Sequence, residues 1–511
     1  MEIIKNKALL LKLRHPKQVT TAIPKSHKVD DNNVLVKWGV DESHVLKNLN
    51  IKVPSPIKGQ YDWPGQHKPF EHQKETSAFL TMNRKAFCFN EQGTGKTASA
   101  IWASDFLMKQ GAIKRVLVIC PLSIMDSAWR SDLFSFAMHR SVDIAYGSPD
   151  KRRKIIGGGA EYVIINYDGV AIVKDDIANG GFDLIIVDEA THYKNAQTTR
   201  WKTLNKILKP DTWLWMMTGT PAAQSPLDAY GLAKLINPTE VPRFFGSFRD
   251  MVMYKISNFK WIPKDTAIST VFNALQPAIR YTKEDCLDLP DMVYVNREVE
   301  LTRQQKKYYK ELRSRMIIQA AGEEITAVNA AVNMNKLLQI SCGAIYTDKG
   351  DTLEFDIKHR YKVLREVIDE SSQKVLVFVP FKHAISILST KLTSEGISNA
   401  VIQGDVPVGR RTDIFKAFQE QDDPQVLVIQ PAAAAHGVTL TAANTVVWWG
   451  PTSSLETYAQ ANARVHRAGQ KHKCTIVQLQ GSLVEKHVYR LLDSKIDVHS
   501  QIVDLYNKLL D

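Results

Sequence analysis

Cysteine is scarce in this 511-residue chain: Cys88, Cys120, Cys286, Cys342 and Cys474 are odd in number, widely scattered and never spaced C-x-x-C. That usage excludes a disulfide framework, offers no zinc-ligand spacing and suits a reducing interior. Long hydrophobic runs are missing as well. No apolar stretch approaches the ~18 residues needed to span a bilayer, and the start of the chain lacks the basic, apolar and small-residue order of a secretory leader. The expectation is an intracellular protein not inserted in a membrane: cytoplasmic or nucleoid-associated in a prokaryotic or viral setting, nuclear in a eukaryotic one. Low-complexity tracts and solenoid repeats are absent too.

What is present is a globular balance. Hydrophobic residues make up 44% and charged residues 23%, which excludes disordered and fibrous classes. At roughly 150 residues per domain the length calls for several cores. The net charge of +12 favours polyanions such as nucleic acid, but many enzymes that bind only nucleotides are basic as well. Lys5, Lys7, Lys12, Arg14, Lys17, Lys25 and Lys28 crowd the first 28 positions against one acid, Glu2. They read equally as an arm along phosphates or as a solvated face.

Short apolar runs recur with polar turns and amphipathic stretches between them: "AFCF" at 86 to 89, "VLVIC" at 116 to 120, "YVII" at 162 to 165, "LIIV" at 184 to 187 and "WLWMM" at 213 to 217. The rhythm returns in "VLVFV" (375 to 379), "VLVI" (426 to 429), "VVWW" (446 to 449) and "TIVQL" (475 to 479). Runs apolar on both faces predict parallel strands covered by helices, hence two α/β domains. Residues 222 to 360 turn helical and charged with no comparable strand series, and predict helical protrusions and a linker. Residues 1 to 58 predict a small β-rich or mixed accessory unit. Trp448 and Trp449 read as core strand residues, and "KRRK" at 151 to 154 as the basic surface of a helix.

The first apolar run leads into "NEQGTGKTASAIW", residues 90 to 102. Gly93 and Gly95 permit a backbone nest facing an anion, and a helix opening near Lys96 adds its positive dipole end. Lys96 then reaches the β- and γ-phosphates and the Thr97 hydroxyl binds Mg²⁺. Asn90 stands where the P-loop pattern has glycine. In "FDLIIVDEATHYKN", a buried run ends in two adjacent carboxylates. A P-loop nucleotidase needs an acid at a strand tip to hold magnesium, here Asp188, and a second to orient or deprotonate the attacking water, here Glu189. In "QANARVHRAGQ", Arg464 and Arg467 lie three apart, so on a helix both project from one face. Donated across a cleft, such arginines stabilise transition-state charge and make hydrolysis depend on domain closure.

Taken together, "EQGTGKT", "CPLSIMDSAW", "DEATHYKN", "TGTP" (218 to 221), "KVLVFVPF" (374 to 381), "GVTLTAANTVV" (437 to 447) and "QANARVHRAGQ" resemble, in order over about residues 65 to 495, the motifs of Swi/Snf-type superfamily-two DNA translocases. The resemblance implies two RecA-like parallel-sheet lobes with helical protrusions, divided as an accessory unit at 1 to 58, an ATP-binding lobe at 59 to 288 and a C-terminal lobe at 289 to 511. It implies that Gln73 reads adenine and that Gly93, Thr94, Gly95, Lys96, Thr97 and Gln460 complete the ATP pocket. Thr97 and Asp188 hold Mg²⁺, and Lys96, Asp188, Glu189, Arg464 and Arg467 carry hydrolysis. Thr218 and Thr220 couple the nucleotide to DNA. Backbone phosphates are met near Pro121, Ser123, Asn166, Tyr167, Phe381, Lys382, Gly437 and Thr439. Thr191 stands where the family has histidine, with His192 one place later. The function implied is an ATP-dependent motor, monomeric, tracking along double-stranded or forked DNA. A strand-separating or annealing helicase and an inactive DNA-binding scaffold are the alternatives.

Overall fold

Strands that are apolar on both faces persist only where helices cover the sheet on two sides, and the apolar runs of this chain are covered in that way. The computed structural model describes residues 1–65, 67–219, 221–222, 225–256, 261–286, 290–322, 327–346, 352–434, 438–467 and 469–494. The chain divides into two compact units, Met1–Leu287 and Asp288–Asp511.

The first unit opens on an antiparallel sheet of β1 (Glu2–Ile4), β2 (Ala8–Lys12), β3 (His27–Lys28) and β4 (Asn33–Lys37), in the order β1-β2-β4-β3. Alternation sets its inner face: Leu9, Leu11, Val34 and Val36 pack with Val19, Trp38 and Leu46. The seven basic residues of the first 28 positions therefore lie exposed on a folded unit, not along an unstructured arm.

Seven parallel strands follow: β5 (Lys85–Cys88), β6 (Val116–Cys120), β7 (Val142–Ile144), β8 (Tyr162–Asn166), β9 (Leu184–Asp188) and β10 (Trp213–Met217), then, beyond a hairpin of β11 (Met253–Lys255) and β12 (Trp261–Pro263), the short β13 (Ala278–Ile279). Their order is β13-β5-β10-β9-β6-β8-β7. All residues of β6, β9 and β10 are buried. Asp105, on the helix Lys96–Lys109, is a fully buried acid inside this unit. Burial pushes its carboxyl up, but hydrogen bonds from Tyr61 (2.6 Å), Arg140 (2.6 Å) and His139 (2.8 Å) outweigh that and hold it below its ordinary value.

The second unit has a six-stranded parallel sheet of β14 (Met292–Glu298), β17 (Lys374–Phe378), β18 (Asn399–Ile402), β19 (Val426–Ile429), β20 (Ala443–Trp448) and β21 (Cys474–Gln480). The order is β14-β21-β20-β17-β19-β18, and β15 (Ala344–Tyr346) pairs with β16 (Thr352–Glu354) apart from it. Strand β14 corrects the helical reading of residues 222 to 360. "MVYVNRE" alternates because β14 is an edge strand with one face solvated, so it lacks the continuous apolar run of the central strands. Trp448 and Trp449 are both fully buried, their indole N–H groups donating to Asn462 Oδ1 and Cys342 O, each at 2.9 Å.

Helix Lys358–Glu370 is locked to helix Leu483–Asp493 by a buried pair. The Arg360 guanidinium donates to Glu485 Oε1 (2.8 Å) and Oε2 (2.9 Å) and to the carbonyl of Trp449. Glu485 Oε2 also accepts the Gly481 (2.7 Å) and Ser482 (3.0 Å) amides at the start of its own helix. Glu485→Ala leaves a buried guanidinium without its counter-charge and is expected to lower the unfolding free energy by about 3–5 kcal/mol. Urea denaturation checks this; a loss under 1 kcal/mol would contradict it.

Candidate functional site

The ladder of the first sheet brings three strand ends together. Met217, the last residue of β10, pairs with Cys88 on one side and with Asp188 on the other. With strands ~4.8 Å apart, the loop leaving β5 and the tip of β9 sit within roughly 10 Å of each other at one sheet edge. Ligands of open parallel sheets bind at that edge.

Beyond β5 the loop 90–95 curls tightly. Gly93 and Gly95 take φ of 86° and 83°, a region that suits glycine, and a Cβ on Gly95 would collide with Gln73 Nε2. Helix Lys96–Lys109 starts directly after Gly95, so its first amides face the loop. Lys96 Nζ lies inside the curl, donating to the carbonyls of Asn90 (2.9 Å) and Glu91 (3.2 Å). Thr94 closes the turn through its hydroxyl to Glu91 O (2.8 Å), and Thr97 is half-buried on the first helical turn. Asn90 ties the loop down where a glycine could not: its Nδ2 donates to Thr76 Oγ1 (2.8 Å) and its Oδ1 accepts the Tyr281 amide (3.0 Å). Gln73 is buried beside the loop, with Oε1 accepting the Phe70 amide (3.0 Å) and Nε2 donating to Thr94 O (3.2 Å).

Across the edge, Asp188 is buried, 8% exposed. Its Oδ2 accepts the indole N–H of Trp129 (2.9 Å) and its Oδ1 the Glu189 amide (3.0 Å). Burial raises its carboxyl above the ordinary range; the Lys96 charge, Trp129 and the Glu189 amide oppose that. Lys96 and Asp188 thus share one electrostatic neighbourhood. Glu189 adopts a left-handed conformation (φ 49°, ψ 58°), a strain that residues of functional sites often carry. Tyr167 lies beneath. Burial first, then the nearby acids, push its hydroxyl well up, so it remains a donor, to Asp188 O at 2.6 Å. His192 is turned onto the Tyr167 ring, centroids 4.6 Å apart. Thr218 is fully buried with its amide on Cys88 O (3.0 Å), next to the loop; Thr220 lies outside the described residues.

Asn166 ends β8, where its Oδ1 accepts from Arg152 (3.0 Å). Arg152 belongs to "KRRK", yet it is buried, holding the carbonyls of Gly147 (3.0 Å) and Ala145 (2.8 Å) as well. The surface reading of that tract is corrected for this residue. Pro121 is buried just after β6, and Ser123 falls in the turn Leu122–Ile124.

In the second unit, the C-terminal ends of β17, β19 and β20 border a cavity of about 440 Å³ lined by Phe381, Lys382, Gln339, Tyr346, Gln430 and Thr452 among others. Phe381 and Lys382 are the two for which the family resemblance implies phosphate contacts. The polar remainder comes from separate segments that no motif unites. Lys382 Nζ is held by both oxygens of Asp405, each at 2.9 Å. Thr439 is exposed, and Gly437 lies outside the described residues. Gln460 is buried with Nε2 on Glu456 Oε1 (3.1 Å). Arg464 and Arg467 do not share a helix: helix Leu455–Asn462 stops before them. The reason is Gln470, whose Nε2 donates to the carbonyls of Val465 (3.3 Å), Ala443 (2.9 Å) and Thr441 (3.3 Å) and draws the chain into a turn. Arg464 is buried and Arg467 half-buried.

Two α/β units built on parallel sheets, the first carrying a phosphate-loop sequence after β5 and an acid at a nearby strand tip, are those of a helicase-like ATPase of superfamily two. The family model for the SNF2-related domain matches residues 72–344, and that for the helicase conserved C-terminal domain matches 359–469. The chain belongs to the SNF2-related family. It is similar to an uncharacterized ATP-dependent helicase of Mycoplasma genitalium, 24% identical over 80% of this chain and 39% of that protein. A Caenorhabditis elegans homolog of SWI/SNF-related matrix-associated actin-dependent regulator of chromatin subfamily A-like protein 1 is 24% identical over 89% of this chain and 65% of that protein. The chain thus spans less than two thirds of either relative. Among solved structures, the Sulfolobus solfataricus SWI2/SNF2 ATPase core in complex with dsDNA is similar over 87% of this chain and 96% of that chain, at 21% identity and a TM-score of 0.42. No helix among the described residues is long and apolar enough to cross a membrane.

Proposed function

We propose that the protein is an intracellular, monomeric motor that hydrolyses MgATP and tracks along double-stranded DNA. The observation that carries this reading is the meeting of Lys96 and Asp188 at one sheet edge in a chain of the SNF2-related family. Lys96 and the loop amides around Gly93 to Thr97 take the phosphates, and Gln73 reads the adenine. Glu189 orients and deprotonates the attacking water. The Arg464 and Arg467 guanidinium groups meet the charge that develops on the transferred phosphoryl group.

The donors present suit magnesium: a hydroxyl, Thr97, and one carboxylate, Asp188, are the hard oxygen ligands this ion takes alongside substrate phosphates. Among the described residues no group of three or more His, Cys, Asp or Glu side chains forms a cage for another metal. When bound, the ion would neutralise phosphate charge that builds up during hydrolysis.

Phosphate contacts near Pro121, Ser123, Asn166 and Tyr167 in the first unit, and near Phe381, Lys382, Gly437 and Thr439 in the second, suit a motor that must run over any sequence, since phosphates carry no sequence information. Thr218 and Thr220 connect that grip to the nucleotide. An accessory role for residues 1 to 58 in recognising the DNA substrate follows from their exposed basic residues.

A triplex-displacement assay tests translocation. ATP-dependent release of a third strand, with little strand displacement on forks, is the expected result. Displacement on forks without triplex release would instead identify a strand-separating helicase.

A further inference from the structure

Trp129 has no place in the roles assigned so far, yet it touches the acid at their centre. It is fully buried, and across 59 positions of sequence its indole N–H donates to Asp188 Oδ2 at 2.9 Å. We propose that Trp129 is a positioning residue, its N–H fixing the Asp188 carboxylate in the orientation in which that carboxylate meets the magnesium of MgATP. The inference rests on the nucleotide reading above and adds a residue to it.

An aspartate carboxylate turns about a broad, roughly two-fold torsion, so burial alone does not set its plane. Two hydrogen bonds do, one to each oxygen: Trp129 at Oδ2 and the Glu189 amide at Oδ1. The second donor is set by the left-handed backbone of Glu189. The first comes from the six-residue π-helical turn Met125–Arg130, a widened turn of the sort that re-aims side chains at functional sites. Each carboxylate oxygen has a second lone pair, which stays available to a cation.

The chemistry of the donor is informative. An indole N–H stabilises a buried carboxylate without adding charge. A lysine or arginine in its place would do the same while repelling the metal. Trp129 is also donor-only, so it enforces an acceptor at position 188.

The test measures Mn²⁺ binding, by electron paramagnetic resonance, to protein saturated with ADP. Trp129→Phe keeps most of the ring and loses the donor. A second variant carries 3-benzothienyl-alanine at position 129, which keeps the shape and packing of the indole and replaces only N–H by sulfur. Both are expected to bind Mn²⁺ about tenfold more weakly, as outer-shell losses do, with metal-free ADP affinity unchanged and the benzothienyl variant melting like wild type. Wild-type Mn²⁺ affinity in the benzothienyl variant would overturn the proposal. Asp188→Asn is the control: if it leaves Mn²⁺ binding intact, the metal assignment itself is wrong, a failure distinct from that of Trp129.

Discussion

Lys96→Ala is expected to bring ATP turnover down to background, a loss of about two to three orders of magnitude or more. Two effects add. The ammonium group sits in the loop curl on the carbonyls of Asn90 and Glu91, where a triphosphate oxygen would exchange for those carbonyls at little cost. Its charge is also the largest influence opposing the burial of Asp188. Without it the burial of the Asp188 carboxylate loses its largest counterweight. The measurement is steady-state ATP hydrolysis with DNA present, alongside nucleotide binding. Residual turnover above a tenth of wild type would remove Lys96 from the site.

Arg467→Ala is expected to leave ATP binding within a few-fold of wild type and to cut turnover by ~10³ to 10⁵. A charge that meets only the transition state contributes to kcat and not to ground-state affinity. Arg467 sits in the Gln470-stapled turn after helix Leu455–Asn462, half-buried. Single-turnover hydrolysis and equilibrium binding of a fluorescent nucleotide separate the two quantities. Undiminished turnover would remove the assignment.

The sequence showed most where physics is local. Strands buried on both faces advertise themselves by composition, and β6, β9 and β10 lie where "VLVIC", "LIIV" and "WLWMM" place them. Gly93 and Gly95 show the loop because few other residues tolerate such backbone angles. What was hidden depended on distant partners. Trp129 closes the motif "CPLSIMDSAW", but only the fold sets its indole against Asp188. Arg152 reads as surface charge until the carbonyls of Ala145 and Gly147 close on it. The turn at Arg464 is decided by Gln470 reaching back to Val465, Ala443 and Thr441, and no local helix propensity reveals that. Edge strand β14 escaped because its solvated face breaks the apolar run.

On the proposed function, a strand-tip acid and a loop lysine at one sheet edge form an ATP site whose turnover DNA drives. The most direct test is the rate of ATP hydrolysis by the whole chain with magnesium, measured without DNA and with duplex, forked and single-stranded DNA. Hydrolysis that rises with duplex DNA and vanishes in Lys96→Ala is the predicted result. Turnover at background with every DNA, from protein that still binds duplex, would contradict the motor and leave a DNA-binding scaffold.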